Sequence, residues 1–505
     1  MKTRGYNMKW IIVVVFLTGL PFLLSAQQRS SEVLEVELSL DDVIELAGKQ
    51  SLYSFRIKNM YLSSYWEFRS FRANRLPSLI MNTTPINFDR SVRSQFISEE
   101  EGDRFISQSN FSSQASLSVQ QNVPWTGGVF DVTSSLSRIQ NLDNDGVQYA
   151  SVPVSIGFTQ SLNGYNQLRW ESRIEPLKFE QAKLQYLQSR ESLAIQAANQ
   201  FFTVATSEIN RRIAEVNYAN ADTLYRIGKG RFEIGTVTQD ELLDLELGLL
   251  NARLELSRSE VDLRQANASL SSFLGLGDDV WVKCIVPAEI PELQIEVDRA
   301  LSLALENNPD ILGYQRQMLE AARSVQQTRA NNGISANIRA NLGLNKNAED
   351  IDLAYQSPFL EQQQVRVGLS IPIMDWGVRK GRVEMARSNQ EVTEATVKQA
   401  LIDFEQEAIN SVLDFNLQEE QVAISAKADT IAQLGFNVTM QRFLIDKVDV
   451  IRLNSARNSL DAARRSYINA LRRYWTSYYG IRQLTLYDFE NDRPLIEELD
   501  ELLQQ

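Results

Sequence analysis

RFEIGTVTQDELLDLELGLLNARLELSRSEVDLRQANASLSSFLGL, residues 231–276, is a glycine turn followed by a long helix rich in Leu, Ala, Glu and Arg. The chain repeats it. From residue 442 it reads RFLIDKVDVIRLNSARNSLDAARRSYINALRRYWTSYYGI, so that Arg231, Phe232, Ile234 and Val237 recur 211 residues later as Arg442, Phe443, Ile445 and Val448. Upstream, Ala221-Asp222-Thr223 returns as Ala428-Asp429-Thr430, and Arg72-Ala73-Asn74 as Arg329-Ala330-Asn331. The last echo carries Ile44, Leu46 and Ala47 onto Leu301, Leu303 and Ala304 at the same spacing of 257. The chain is therefore an internal duplication, and one architecture must explain both halves.

The duplication limits the 505 residues to two related halves with a leader and a tail. The expected divisions are a signal peptide at 1–26, a first structural repeat at 27–275, a linker at 276–296, a second repeat at 297–484 and a tail at 485–505. Lys2, Arg4 and Lys9 precede an apolar run over residues 10–24, and Leu24-Ser25-Ala26 offers a small residue for cleavage after Ala26. The run falls short of the roughly 18 to 20 residues that span a bilayer as a helix, so export is expected rather than a retained anchor. Cys284 is the only cysteine, which excludes an internal disulfide and a lipid anchor on the new N-terminus. The net charge of −13, more acidic still after cleavage, disfavours nucleic acid as a partner. With no histidine, the chain lacks the usual near-neutral acid-base and the commonest metal ligand. No cofactor or metal is expected.

Taken in order, residues 27–37 are polar and read as loosely ordered, and Ser39 reads as a cap for a helix running from Leu40 to about Asn74, with Asp41 and Asp42 facing its dipole. Residues 79–90 read as extended but poorly alternating, and an acidic loop follows at 99–103. Ala115, Leu117, Val119 and Val123 then alternate with polar residues, and Pro124-Trp125-Thr126-Gly127-Gly128 turns the chain into Phe130, Val132 and Leu136, a hairpin pattern. Val152, Val154, Ile156 and Phe158 alternate again. A long helix is expected from Gly164 to about Ile227, broken by Gly228, Gly230 and Gly235, with an antiparallel partner to about Leu274.

The second copy repeats this order. Asp298 reads as its first cap, and its helices as reaching about Asn332, then from Val378 to about Gln433, then to about Leu484. Its strands alternate most cleanly, with Ala336, Ile338, Ala340, Leu342 and Leu344 in one and Val365, Val367, Leu369, Ile371 and Ile373 in the other, a dyad that fits a membrane barrel wall. The spacing between copies falls from 257 to 213 at Gly164 and Gly377, so the first copy holds 44 extra residues where the Trp125 hairpin lies. It is 207 at Ala221 but 211 at the turn, which predicts about one extra helical turn in copy two and slightly unequal tips. Two strands per copy cannot close a barrel, whose smallest common form has about eight. Three chains would supply twelve strands, or eighteen if the inserted hairpin joins the wall, with the helices continuing the cylinder as a tube.

Across nearly the whole mature chain these features resemble the TolC family of outer-membrane efflux and secretion ducts. Arg75-Leu76-Pro77 looks like that family's entry to its first strand, residues 371–377 (IPIMDWG) like its strand-to-helix passage, and residues 235–245 like its periplasmic turn. The resemblance implies a mainly α fold with membrane β: a homotrimer with a shared outer-membrane β-barrel embedded in lipid and a long α-helical periplasmic barrel. It also implies docking with a periplasmic adaptor protein and an inner-membrane transporter, and no catalysis. In the family two acidic residues after the second turn ring the closed aperture. Here those positions hold Arg452 and Ser455, whereas copy one has Glu241 and Asp244 in register after Gly235.

An acidic gate from Glu241 and Asp244, with Asp446 and Asp449 near the tip of copy two and Arg452 as an attractive closed-state partner, is one expectation. The same acids also fit simple complementation of a helix dipole. Trp125, Phe130 and Phe158, with Tyr165 and Trp170, fit an aromatic girdle at the membrane interface or ordinary packing. Tyr474, Trp475, Tyr478 and Tyr479 read as packing, Cys284 as a lone buried thiol, and Gly127-Gly128 as a turn rather than a phosphate loop. The competing classes are an exported coiled-coil structural protein, which would not need strands placed symmetrically in two copies, and an exported hydrolase or lyase, for which no acid-base cluster is visible.

Overall fold

The computed structural model describes residues 34–96, 103–143, 146–277, 280–287, 289–445, 447–448 and 450–497. The leader with its cleavage site lies outside them, as do Asp446 and Asp449. The first half opens with β1 (Leu34–Leu38), α1 (Leu40–Gln50) and α2 (Leu52–Ala73). Four strands follow, β2 (Ser78–Phe96), β3 (Asp103–Val123), β4 (Gly128–Asn141) and β5 (Val147–Ser161), then the helices α3 (Gln167–Glu233) and α4 (Gln239–Leu274). Strand β6 (Val280–Cys284) leads to α5 (Val297–Asn307), α6 (Pro309–Asn331), β7 (Ser335–Ala348), the short α7 (Ile351–Ala354) and β8 (Leu360–Ser370). The long helices α8 (Val378–Leu444) and α9 (Val450–Thr485) and a small ladder of β9 (Tyr487–Asp488) with β10 (Arg493–Pro494) complete the chain.

The duplication is exact in helix length: α3 and α8 each have 67 residues, α4 and α9 each 36. At about 1.5 Å per residue the longer pair runs roughly 100 Å. The two tip turns are also equal, residues 234–238 and 445–449, so the expected inequality of the tips does not occur. Several other boundaries move. Residues 34–38 are not loose: Leu34, Val36 and Leu38 pair in parallel with Val280, Val282 and Cys284, an alternation split across 246 residues. The first helix of each half is broken once, at Ser51 and at Asn308, which stand 257 residues apart like the other echoes. Each accepts a backbone N–H in the next turn, from Ser54 and Asp310, and so starts a new helix. Asp298 sits in the first turn of α5, whose N-cap is Glu296.

Gly228 and Gly230 do not break α3, and α8 runs on past Gln433 to Leu444, because an isolated glycine costs a packed helix only about 1 kcal/mol. Gly228 has a packing role instead: a Cβ there would stand 2.4 Å from Leu245 Cδ1, so its absence lets α4 lie close. The turn itself is made by Gly235 at φ 76°, a conformation that favours glycine.

All six long strands form one antiparallel sheet in the order β2-β3-β4-β5-β7-β8. The inserted hairpin therefore joins the wall. One cross-strand row reads Leu79, Val119, Val132, Ile156 and Leu342; a neighbouring row on the other face reads Gln120, Asp131, Gly157, Asn341 and Gln364. A register shift between Thr84 and Asn87 explains why β2 alternates poorly in sequence, since a bulge resets the phase. Away from the sheet, the core gathers where α1, β1 and β6 wrap the long helices, around Val43, Ala197, Phe201, Phe202, Leu270, Phe415, Leu471 and Tyr474. Fully burying each of the larger apolar side chains contributes about 1.5 to 3 kcal/mol.

Candidate functional site: tips, sheet faces and open edges

At the first tip, the Thr236 amide donates to Arg231 O and the Gly235 amide to Phe232 O, each at 2.9 Å, closing α3 with a left-handed cap. The second tip repeats the bond, with Lys447 N donating to Arg442 O at 2.9 Å. Helix α4 begins with a capping box: the Glu241 amide donates to Thr238 Oγ1 at 3.5 Å and the Glu241 carboxylate accepts from the Thr238 amide at 3.0 Å. The Thr238 hydroxyl also holds the neighbouring Asp240 carboxyl below its usual range. Of the acids expected at the aperture, Glu241 thus spends its carboxylate on the helix start, Asp244 is exposed one turn on, and Asp446 and Asp449 lie outside the described residues. Arg452 is exposed in the first turn of α9.

The chain has two open edges. Helix α3 packs against α4 and α9, and α9 against α8, which leaves α4 and α8 at opposite sides of the helical layer. Each presents an exposed apolar stripe. On α4 it is Leu243, Leu247, Leu250, Leu254 and Val261; on α8 it is Leu417, Ile424, Ile431 and Val438, spaced by seven. Such spacing is the seam of a left-handed helix pair, and here both seams lack a partner among the described residues. Nearer the sheet, α2 exposes Leu52, Phe55, Met60 and Trp66. The sheet itself ends at β2, which follows α2, and at β8, which leads into α8.

The apolar face of the sheet is uncovered, with Leu79 67% and Val365 74% exposed. Phe130 and Phe158 are direct cross-strand partners on it, and Trp125 stands 90% exposed in the β3–β4 turn just beyond. The opposite face is polar. There Asp131 lies over Gly157, where a Cβ would stand 2.4 Å from Asp131 Oδ1. Arg339 and Arg366 are direct partners on that face. Arg339 Nε donates to Thr159 Oγ1 at 3.3 Å, while Arg366 has no carboxylate partner among the described residues. Like charges placed directly opposite destabilise a sheet, so this pair costs the sheet stability.

One buried cluster that the sequence did not reveal fastens α3, α9 and the C-terminal ladder. Arg482 Nε donates to Glu191 Oε2 and its Nη1 to Asp488 Oδ2, both at 3.0 Å. Burial alone would lower the Arg482 pKa, but Glu191, Tyr478 and Asp488 together raise it. Burial likewise works against the Asp488 carboxylate, and the Asn491 side chain, Arg482 and backbone amides outweigh it, holding the acid below its usual range. Tyr474, Trp475, Tyr478 and Tyr479 pack edge to face around this point, as their helical spacing suggests. Cys284 is buried at the end of β6, and burial, helped by Glu208, pushes its thiol up to about 12.

A duplicated helical hairpin continued by an amphipathic sheet with one face for lipid defines an outer-membrane channel subunit. Comparison with known proteins places it further: the sequence profile described as "Outer membrane efflux protein" matches residues 111–276 and 300–485, more than half of the chain, and the chain belongs to that family. It is thus an outer-membrane transport channel, with its helical part in the periplasm, and not an enzyme. It is 23% identical over 335 residues to the pyoverdine export outer membrane protein OpmQ of Pseudomonas aeruginosa, an alignment covering 64% of this chain and 66% of that one. The fold is shared with the Campylobacter jejuni CmeC outer membrane channel, at a TM-score of 0.64, 14% identity and coverage of 91% and 88%. It is shared also with the outer membrane protein VceC of Vibrio cholerae, at a TM-score of 0.59, 14% identity and coverage of 88% and 95%.

Proposed function

We propose that three copies close head to tail into a continuous duct that carries compounds from an inner-membrane transporter and a periplasmic adaptor to the cell exterior. The observation that carries this is the pair of open edges. A stripe on α4 and another on α8, with unpaired strands β2 and β8 above them, are different surfaces on opposite sides of one chain. Different surfaces make a heterologous contact, which closes as a ring when the rotation between neighbouring copies is a whole fraction of a turn, here a third. Each chain contributes six strands, so the wall has eighteen. Barrels of about 16 to 18 strands leave an aqueous channel. The apolar face then meets lipid and the polar face, with Asp131, Arg339 and Arg366, lines the water.

At the far end the trimer axis brings three copies of each tip together. Glu241 and Asp244 form the acidic mouth of this duct, and Arg452 offers the opposing charge in the closed form; Asp446 and Asp449, expected beside them from the sequence, lie outside the described residues. Like charges at a constriction favour cations and are screened by salt. The pyoverdine export named for the relative accords with outward transport. The duct reading is tested by deleting the protein in its native host. Increased sensitivity to toxic compounds, restored by the wild-type gene, and co-purification of an adaptor are the expected results; unchanged sensitivity with no conductance in planar bilayers would refute it. Glu241→Ala/Asp244→Ala tests the mouth separately, and unchanged conductance and cation preference would remove the acids from the gate.

A further inference from the structure

The apolar band of the sheet ends, on β5, at Phe158, and directly below it the chain turns through residues 162–166 into α3. A cavity of about 750 Å³ lies at this joint, within the roughly 300–1,000 Å³ range of small-molecule sites. Its upper wall is Trp125, Phe158 and Leu162; its lower wall carries Trp170, Arg169 and Arg173. No carboxylate among the described residues lines it.

The walls are tied in place. Asn166 accepts the Arg169 amide at 3.1 Å and donates to Pro124 O at 2.8 Å, which joins the helix start to the Trp125 turn. Trp170 Nε1 donates to Gln326 Oε1 at 2.6 Å, and Gln326 in turn donates to Gly164 O at 2.9 Å. The Arg173 guanidinium stacks 5.8 Å from the fixed Trp170 ring. Arg169 and Arg173 stand four residues apart on one helix face, an arrangement that repels unless an anion intervenes. Neither has a carboxylate partner among the described residues. Arg169 also lies in the first turn of α3, where the helix dipole adds positive potential.

We propose that this cavity holds the phosphate headgroup of a phospholipid from the periplasmic leaflet, with Arg169 and Arg173 on the phosphate and the acyl chains along Phe158. Two guanidinium forks suit the tetrahedral oxygens of a phosphodiester. The apolar upper wall, continuous with the lipid-facing side of the sheet, selects a lipid over a free anion. The cavity lies between elements of one chain, so the proposal depends on the outer-membrane placement and not on the trimer or on transport. Its consequence is mechanical: the bound headgroup fixes the height of the strand-to-helix joint against the membrane plane.

The test is native mass spectrometry of the delipidated, detergent-solubilised protein with added phosphatidylglycerol. The wild type retains lipid, and Arg169→Gln/Arg173→Gln retains about tenfold less, the loss expected when charge-assisted contacts to phosphate are removed. Arg253→Gln/Arg258→Gln, on the exposed face of α4, retains lipid like the wild type. Arg169→Lys/Arg173→Lys keeps the charge without the fork and gives an intermediate value, which decides the matter if the Gln pair does not assemble. Equal retention by the wild type and both Arg169/Arg173 variants would overturn the proposal. So would complete displacement of lipid by inorganic phosphate, which would mark a site for a free anion.

Discussion

Replacing Arg482 by Leu removes one cation from between two carboxylates that the fold keeps from water. The Glu191 and Asp488 side chains are 10% and 2% exposed, and the Arg482 side chain 14%. Removing one partner of a buried ion pair costs about 3 to 5 kcal/mol, because the remaining charge stays desolvated. Here two acids lose the same partner, so the upper part of that range applies. Asp488 keeps only part of its shell: its Oδ1 still accepts the Glu490 and Asn491 amides at 3.1 and 3.2 Å. The pH dependence has a defined sign. In the wild type the folded-state pKa of Asp488 is lowered, so its contribution is present above the unfolded value near 3.8 and is lost as pH falls through the folded value. In Arg482→Leu burial of Asp488 is less opposed, its pKa rises, and protonation relieves the variant. The stability gap therefore narrows as pH falls from 7 towards 4. Guanidinium unfolding followed by tryptophan fluorescence, to which Trp475 beside Tyr478 contributes, measures both effects. A gap below about 1 kcal/mol at pH 7, or one that widens towards pH 4, would refute this account of the cluster.

Cys284 is held as a neutral, buried thiol with its pKa pushed up to about 12, so a thiol-reactive maleimide at pH 8 labels it only after unfolding. Fast labelling of the native protein would contradict that packing. If the polar face of the sheet lines the duct, Arg339→Gln/Arg366→Gln removes six positive charges from a trimer and shifts the reversal potential across a salt gradient towards cation preference. An unchanged reversal potential would place this arginine pair away from the permeation path.

The sequence made the duplication and the long helices legible because both repeat over long, strongly patterned segments. The clean dyads of residues 336–344 and 365–369 likewise identified a wall strand pair, whereas the bulge at residues 84–87 hid the phase of β2. The breaks at Ser51 and Asn308 carried only a cap residue each, with Pro309 as the one further signal. Strand β1 was missed because its partner lies 246 residues away and five residues of alternation are too short to read alone. The same limit hid the Arg482 cluster, whose partner Glu191 is 291 residues distant. Gly228 looks like a breaker in sequence because sequence cannot show that Leu245 packs against it. At the tip, residue spacing placed Glu241 correctly at the start of α4, but its engagement by Thr238 depends on side-chain geometry.

In the proposed duct the α4 and α8 edges meet between copies in a closed ring of three. Leu250 and Ile431 lie at similar heights above their tips, on the two exposed stripes. Leu250→Cys/Ile431→Cys, in a Cys284→Ser background, treated in outer membranes with a short bifunctional maleimide and run on a denaturing gel, is the most direct measurement. Head-to-tail closure predicts a ladder of monomer, dimer and trimer that ends at the trimer, with each single-cysteine variant remaining monomeric. A ladder that stops at the dimer, or crosslinking by one cysteine alone, would contradict it.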